Sequence, residues 1–588
     1  MKIGICSQFK HWSDRPLGRL GSILFAVTLA FCIHSANAQI SVYVEYPESI
    51  TGPLDFTWSD TWAADLDSAE LAVTAPLVLV DDGTEADSLG CTDPLVNSAE
   101  LTGNIALVYR GVCEFGAKAL NAEMAGAVGV IIINNVGGAP VGMAAGEFGD
   151  QVTIPVVMIS DVDGVLLREN MLTSDSVVVR IGSLTGVFPF NLGFNNMRIL
   201  LPEFAAAPSE LVMGSDDFTI PLGAWIYNYG NQAQSNVSLQ VEIMQNGSSV
   251  YNETSTADSI PLEDSAYFQL PVFDQAPYTG RYEVTYTIVS DSTDAYDIDN
   301  VFTTSVQIGD IFSYAEVDDT TGIPETNTYY SFNSPEGSRS CIYFSHPNAS
   351  RVAATGMYVN FSAHPDSTFA GNFVAVQVNE WSITDPTALD LPTNETLNPI
   401  EEADHILTDE ERGETFFIPF LNAVALEDNS SYLFCVVTNE NLTYHGYDGD
   451  LMYDQNMETN SVPVTYIYAT AAGSTSLQWF DGTLITPPSI GVHMIDVNTI
   501  GINENERMEI TPFPNPTADQ IKIPVAGQSG LAMLNIFDIA GAKVSEQQVN
   551  IAGEQLVVDM KGISNGTYMF NMTFTDGRQA SFRVVVSR

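Results

Sequence analysis

The chain reads as a mainly β, multidomain protein with one α/β module near its start. Three observations predict this. Short segments that alternate apolar and polar residues recur from about residue 190 to the C-terminus, the period of half-buried strands. Apolar spacing of the helical kind is confined almost entirely to residues 76–167. The chain has 588 residues, 45% of them hydrophobic, which suits three or four cores and is too apolar for a disordered acidic polymer. The expected order is a signal segment at 1–38, the α/β module at 39–189, a β-sandwich at 190–309, a larger β-domain at 310–500 and a small β-sandwich at 508–588.

The N-terminus carries Lys2, Lys10, Arg15 and Arg19, then the apolar run Ile23 to Ile33, then Ala36-Asn-Ala38. A basic stretch, a short apolar stretch and a small-x-small step are the parts of an export signal, with cleavage expected after Ala38 and a mature start at Gln39. No other apolar run approaches the roughly 20 residues that a membrane-spanning helix needs, so no transmembrane segment is expected in the mature chain.

In the α/β module, Pro76–Val80, Ile105–Tyr109, Val130–Ile133 and Ile154–Ile159 read as strands, and Phe115–Ala125 as a helix whose apolar face includes Leu120 and Met124. A second helix follows Ser160. The stretch Gly90-Cys91, Leu101 to Tyr109-Arg110-Gly111-Val112-Cys113-Glu114-Phe115, Lys118, Ala125 to Asn135 and Ile154 to Ser160 resembles the protease-associated (PA) domain over about residues 40–185. Tyr109 departs from the pattern, which usually has Asp before Arg-Gly. The resemblance implies binding rather than chemistry: a lid on peptidases or a recognition module in sorting receptors. Arg110 and Lys118, scarce cations here, are candidates to contact a carboxylate or a peptide carbonyl. The plainer alternatives are that Arg110 braces its turn and that Lys118 is a solvated helix residue. The loop from Gly137-Gly138 to Asp150 is a candidate binding rim.

Residues 190–309 contain six or seven short alternating strands, from Ile220–Tyr229 to Asn300–Ile308, and resemble the adhesion-type Ig-like sandwiches of secreted bacterial proteins. Asp291, Asp294, Asp297 and Asp299 crowd one loop; Asp294, Asp297 and Asp299 are candidate calcium ligands, with a solvated acidic turn as the alternative. Residues 310–500 suggest two packed sheets in a jelly-roll manner. Asp448 and Asp450 form a second candidate calcium loop, and Trp381, Tyr447 and Trp479 are either core residues or platforms for sugar rings.

The C-terminal segment opens with Thr511-Pro-Phe-Pro-Asn-Pro-Thr517, continues through Ile521–Ile523 and Leu534–Ile539, and closes with Gly566–Phe574 and Phe582–Val586. Asp576-Gly577 is a hairpin signal. This order resembles the C-terminal sorting domain of type IX (Por) secretion cargo. It implies the type IX secretion machinery as a partner and a secreted or outer-membrane-surface location reached through the periplasm.

Twenty Lys+Arg stand against 73 Asp+Glu, a formal charge of −53. Such a surface repels nucleic acid. Beyond the signal segment the cysteines are Cys91, Cys113, Cys341 and Cys435, which allow three connectivities. Export to an oxidising compartment and one pair per module favour Cys91–Cys113 and Cys341–Cys435, the first also at positions the PA resemblance implies. No His-Glu-x-x-His, Gly-x-Ser-x-Gly or phosphate loop occurs, and residues 39–309 contain no histidine. His364, His405 and His445 are the histidines that could meet in the third region. The sequence therefore favours a secreted, non-catalytic protein that recognises a peptide, protein or glycan, with no cofactor beyond possible calcium. The alternatives are a hydrolase, peptidase-associated or carbohydrate-active, with its site in 310–500, and a calcium-dependent adhesin.

Overall fold

The computed structural model describes residues 39–500 and 510–588, apart from 60–61, 67–70, 85–87, 138–139, 175, 331, 333–336, 364–366, 383–390, 394, 440–442, 461–462, 471–476, 482–485, 526–529, 539–542, 552, 554 and 575–578. The expected signal segment with Ala38 lies outside the described residues.

The first module is an eight-stranded sheet. Its centre is parallel: Val73–Leu79, Ile105–Tyr109, Gly129–Ile133 and Val156–Ile159 pair in that order. The last two strands are buried along their whole length, as expected where layers cover both faces of a parallel sheet. The helices Phe115–Met124 and Asp161–Thr173 connect and cover these strands. The second begins where the Ser160 side chain accepts a hydrogen bond from the Asp163 backbone N–H, a standard N-cap. Gly164 lets this helix approach: a Cβ there would sit 2.3 Å from Ile133. Ile40–Tyr46 and Val178–Ser183 extend the sheet in antiparallel fashion.

A three-stranded sheet (Leu192–Ile199, Ile220–Asn228, Ser265–Phe273) then packs on a six-stranded one that includes Gln234–Gln245, Gly280–Val289 and Val301–Gly309. Next come two six-stranded sheets. One includes Val352–Ala363 and Gly491–Asp496; the other includes Ser338–Phe344, Phe373–Trp381 and Tyr432–Thr438. One continuous apolar core runs through both sandwiches. Phe204 stacks on Phe218 with centroids 5.4 Å apart and meets Phe312 edge-on at 5.5 Å; Phe312 meets Phe344 at 4.9 Å. Nothing in the strand pattern of the sequence announces this fusion.

The C-terminal segment has its own core around Ile521, Leu534, Phe570 and Val584. Both expected disulfides are present: Cys91–Cys113, and Cys341–Cys435 across the adjacent strands Ser338–Phe344 and Tyr432–Thr438.

Candidate functional site

The carboxyl ends of the parallel strands in the first module form a crowded edge, the place where open α/β sheets gather ligand-binding loops. After Ile105–Tyr109 comes Arg110-Gly111-Val112; after Gly129–Ile133 comes Asn134-Asn135-Val136; after Val156–Ile159 comes Ser160-Asp161-Val162. In each case a valine stands three positions beyond the strand. All three are exposed: Val112 at 90%, Val136 at 57% and Val162 at 72%. Val112 also has φ of +66°, an unfavourable conformation for a β-branched residue. A strained, solvent-facing valine is costly twice over, and such strain concentrates at functional sites.

The edge is braced beneath the valines. Arg110 Nη1 donates to Asn134 Oδ1 at 3.0 Å, and the Val136 N–H donates to the same oxygen. The Arg110 and Asn134 N–H groups continue the ladder onto Ile133 and Ile159 carbonyls. Glu114 accepts from the Glu147 N–H at 2.8 Å, and Trp62 Nε1 donates to the Met143 carbonyl at 2.8 Å, so the loop before Asp150 is tied against the edge. Gly138 lies outside the described residues. Arg110 thus both braces its turn and stays half-buried at the rim.

Lys118 is placed differently from either sequence expectation. It is fully buried, neither solvated nor at the rim. Its Nζ donates to the Leu89 carbonyl at 2.6 Å and lies 3.5 Å from Cys91 Sγ. Burial lowers its ammonium to about 8, with the Asp82 carboxylate pulling the other way. Lys118 is a strut behind the disulfide.

Most of the candidate carboxylates in the acidic loops are engaged by backbone N–H groups or side-chain amides. Asp294 accepts from the Leu192 and Tyr296 N–H groups, and Asp299 from Gln39 Nε2 at 2.6 Å; Asp297 is exposed. Asp448 accepts from the Glu316 and Asp450 N–H groups, and Asp450 from Asn327 Nδ2. Among the described residues no three His, Cys, Asp or Glu side chains converge in an arrangement that could hold a metal.

His405 and His445 of the third region do not meet. His405 pairs with Glu411 at 2.9 Å on the strand Leu397–Ile406, while His445 sits in the opposite sheet; His364 lies outside the described residues. His445 Nδ1 is 2.7 Å from Ser340 Oγ, which also accepts from the Tyr447 hydroxyl. The spacing is that of a nucleophile and its base, but His445 and Ser340 are sealed in the sandwich and burial lowers the imidazole to about 3. No substrate reaches them. Trp381 and Trp479 are also buried, so neither offers a face to a sugar.

The C-terminal segment shows why its opening motif takes the form it does. Asn515 Nδ2 donates to the Arg583 carbonyl at 2.7 Å and its Oδ1 accepts from the Val585 N–H at 2.8 Å. Thr517 continues the contact with Val585 and Ser587. The Pro-Asn-Pro stretch therefore lies along the open edge of the last strand, Gln579–Val586.

Sequence reasoning missed the three valines and Asn134. Their signal, one valine at a fixed offset after each of three parallel strands, needs the strand ends to be known to a residue.

Comparison with known proteins bears on both ends of the chain. The family model of the PA domain matches residues 73–167, and that of the secretion system C-terminal sorting domain matches residues 511–587. The chain is 35% identical to a probable leucine aminopeptidase 2 of Aspergillus fumigatus over 115 residues, 19% of this chain and 21% of that protein. It therefore spans about a fifth of that relative's length. It is 28% identical to the PRADC1-like protein of Drosophila melanogaster over 189 residues, 29% of this chain and 90% of that protein. Among solved structures, an aminopeptidase from Aneurinibacillus sp. strain AM-1 matches at 25% identity with a TM-score of 0.19, covering 25% of this chain and 31% of that one. The chain thus carries a PA domain and a type IX sorting domain, and it is a type IX secretion cargo, secreted or held at the outer-membrane surface.

Proposed function

We propose that the protein is a non-catalytic recognition protein and that the strand-end edge of its PA domain takes an extended peptide or protein segment. The observation that carries this reading is the exposed trio Val112, Val136 and Val162 around Arg110. Apolar side chains held out on a braced edge give an extended segment contact area. Arg110 supplies a donor fork for a carboxylate or backbone carbonyl. The absence of histidine from residues 39–309 and the engagement of both its cysteines in a disulfide leave acyl-transfer chemistry there without an imidazole base or a thiolate.

The test uses the exported protein and a panel of short apolar peptides, with and without a free carboxylate, read by fluorescence anisotropy. Saturable binding is expected, with Val112→Asp and Arg110→Ala each weakening it about tenfold, roughly 1.4 kcal/mol. Binding that neither substitution touches would assign the ligand to another surface. Turnover of the panel that a single Asp or Glu substitution abolishes would overturn the non-catalytic reading.

A further inference from the structure

The Cys91–Cys113 bridge ties together the carboxyl ends of two neighbouring parallel strands. Cys91 lies in the loop after Val73–Leu79, and Cys113 in the turn after Ile105–Tyr109. Both cysteines keep part of their surface open to solvent, whereas Cys341 and Cys435 are sealed in the second sandwich. A thiol arriving from solvent can reach the first bridge and not the second.

The two bridges differ again in what surrounds the sulfur. On the inner side of the first stands Lys118, fully buried, with its ammonium 3.5 Å from Cys91 Sγ. Its other hydrogen-bond partner among the described residues is the Leu89 carbonyl at 2.6 Å. Asp82, whose carboxylate acts on it, forms no ion pair with it among the described residues. A buried ammonium without a paired carboxylate is a costly way to fill space, because a neutral side chain of the same length would fill it without desolvating a charge. What the charge adds is attraction for an electron pair on the Cys91 sulfur, and that sulfur acquires one when the bridge opens.

Cys113 is the outer sulfur. Val112 before it is 90% exposed with φ of +66°, and Glu114 after it is exposed. Among the described residues no Lys or Arg side chain donates to it.

We propose that the Cys91–Cys113 bridge is a thiol–disulfide exchange site for a dithiol, with Cys91 as the leaving group and Lys118 as the counter-ion of its thiolate. One thiolate of the dithiol attacks Cys113 Sγ, and the S–S bond breaks with its electron pair on Cys91. The second thiol of the reagent then displaces Cys113 from the mixed disulfide. The dithiol is oxidised to a disulfide and the bridge is reduced; of the two protons released, one goes to Cys113 and one to water. A stabilised thiolate is the better leaving group, so the bridge opens faster and more completely. Opening it releases the turn that holds Val112 outward, whatever the valine edge binds.

The experiment titrates the exported full-length protein with dithiothreitol near neutral pH. The reduced form is then alkylated with iodoacetamide across a pH series, with Cys91 and Cys113 read separately by peptide mass spectrometry. The bridge is expected to open while the chain stays folded and Cys341–Cys435 stays closed. The alkylation midpoint of Cys91 is expected about one pH unit or more below that of Cys113 and below the roughly 8.5 of a free thiol. Lys118→Met is expected to raise the Cys91 midpoint by about a unit, to leave that of Cys113 in place, and to require about tenfold more dithiothreitol for half reduction. A Cys91 midpoint at or above that of Cys113, a midpoint unmoved in folded Lys118→Met, or a bridge that opens only when the chain unfolds would each overturn the proposal. Should Lys118→Met fail to fold, the order of the two midpoints in the parent protein decides.

Discussion

Two joints among the described residues are built on opposite principles. The joint between the two central sandwiches is apolar and aromatic at its centre: Phe204, Phe218, Phe312 and Phe344 interlock, and all belong to one continuous core. The joint between the PA domain and the first sandwich is largely polar. Gln39 and Asn191 exchange side-chain hydrogen bonds at 2.7 and 3.3 Å, Gln39 donates to Asp299, and the Tyr296 hydroxyl reaches Ser41. Tyr43 adds an edge contact to Phe188 and a tilted one to Tyr296. An apolar centre of this kind draws on area and shape rather than on charge. A polar joint depends on protonation, because Asp299 Oδ1 is buried there without a partner and burial raises its carboxyl to about 7, with Asp294 adding to the rise and the Gln39 amide opposing it. The first joint makes one body of two sandwiches; the second leaves the PA domain responsive to its surroundings.

Four experiments break or sharpen this contrast. The largest effect belongs to the aromatic joint. Phe312→Ala is expected to cost about 3–5 kcal/mol in urea unfolding, with both sandwiches destabilised in one transition. A loss below about 1 kcal/mol would show that the shared core is not what unites them. Next, replacing Cys91 and Cys113 with Ala is expected to cost roughly 2–4 kcal/mol, confined to the PA domain. Hydrogen exchange resolved by domain would locate it, and a matching loss of protection in the sandwiches would contradict the independence of the polar joint. Third comes the pH dependence. The folded carboxyl of Asp299 lies above its unfolded value of about 3.9, so the folded state holds the proton longer and stability falls as pH rises from about 4 through about 7. Asp299→Asn should remove that decline, matching the parent near pH 4 and melting roughly 2–4 °C higher at pH 8. Parallel melting curves across the whole range would rule out Asp299 as the titrating group. The smallest effect is expected at the rim of the aromatic joint. There Arg351 meets Asp217 at 2.8 Å with a third of its own side chain exposed, so Arg351→Ala should cost about 1 kcal/mol or less.

Much of this architecture is legible in the sequence, and unevenly so. The PA helix at Phe115 and the buried strand at Val130–Ile133 are visible because their periodicities are strong and local. The C-terminal strands alternate cleanly for the same reason. Both disulfides follow from one pair per module. The polarity of the joints is not legible, because Phe204 and Phe312 read as ordinary strand-flanking aromatics until their strands are placed. Lys118 reads as a surface cation because helix position alone does not reveal that the Cys91 loop closes over it. Sequence patterns report local burial; they do not report which distant surfaces meet.

The closing strand of the sorting domain has a practical consequence for anyone handling this protein. Arg588 is no loose end: its side chain donates to the carbonyls of Ala518 and Met560, and its N–H to Asn565. Together with the Asn515 and Thr517 contacts, this buckles the first and last residues of the domain to each other. An affinity handle appended after Arg588 has to leave from this buckle and crowd it. A reporter inserted before residue 510 leaves it closed. Fusions for surface display therefore belong upstream of the sorting domain, and a sorting domain altered at this buckle should be checked for export before its cargo is blamed.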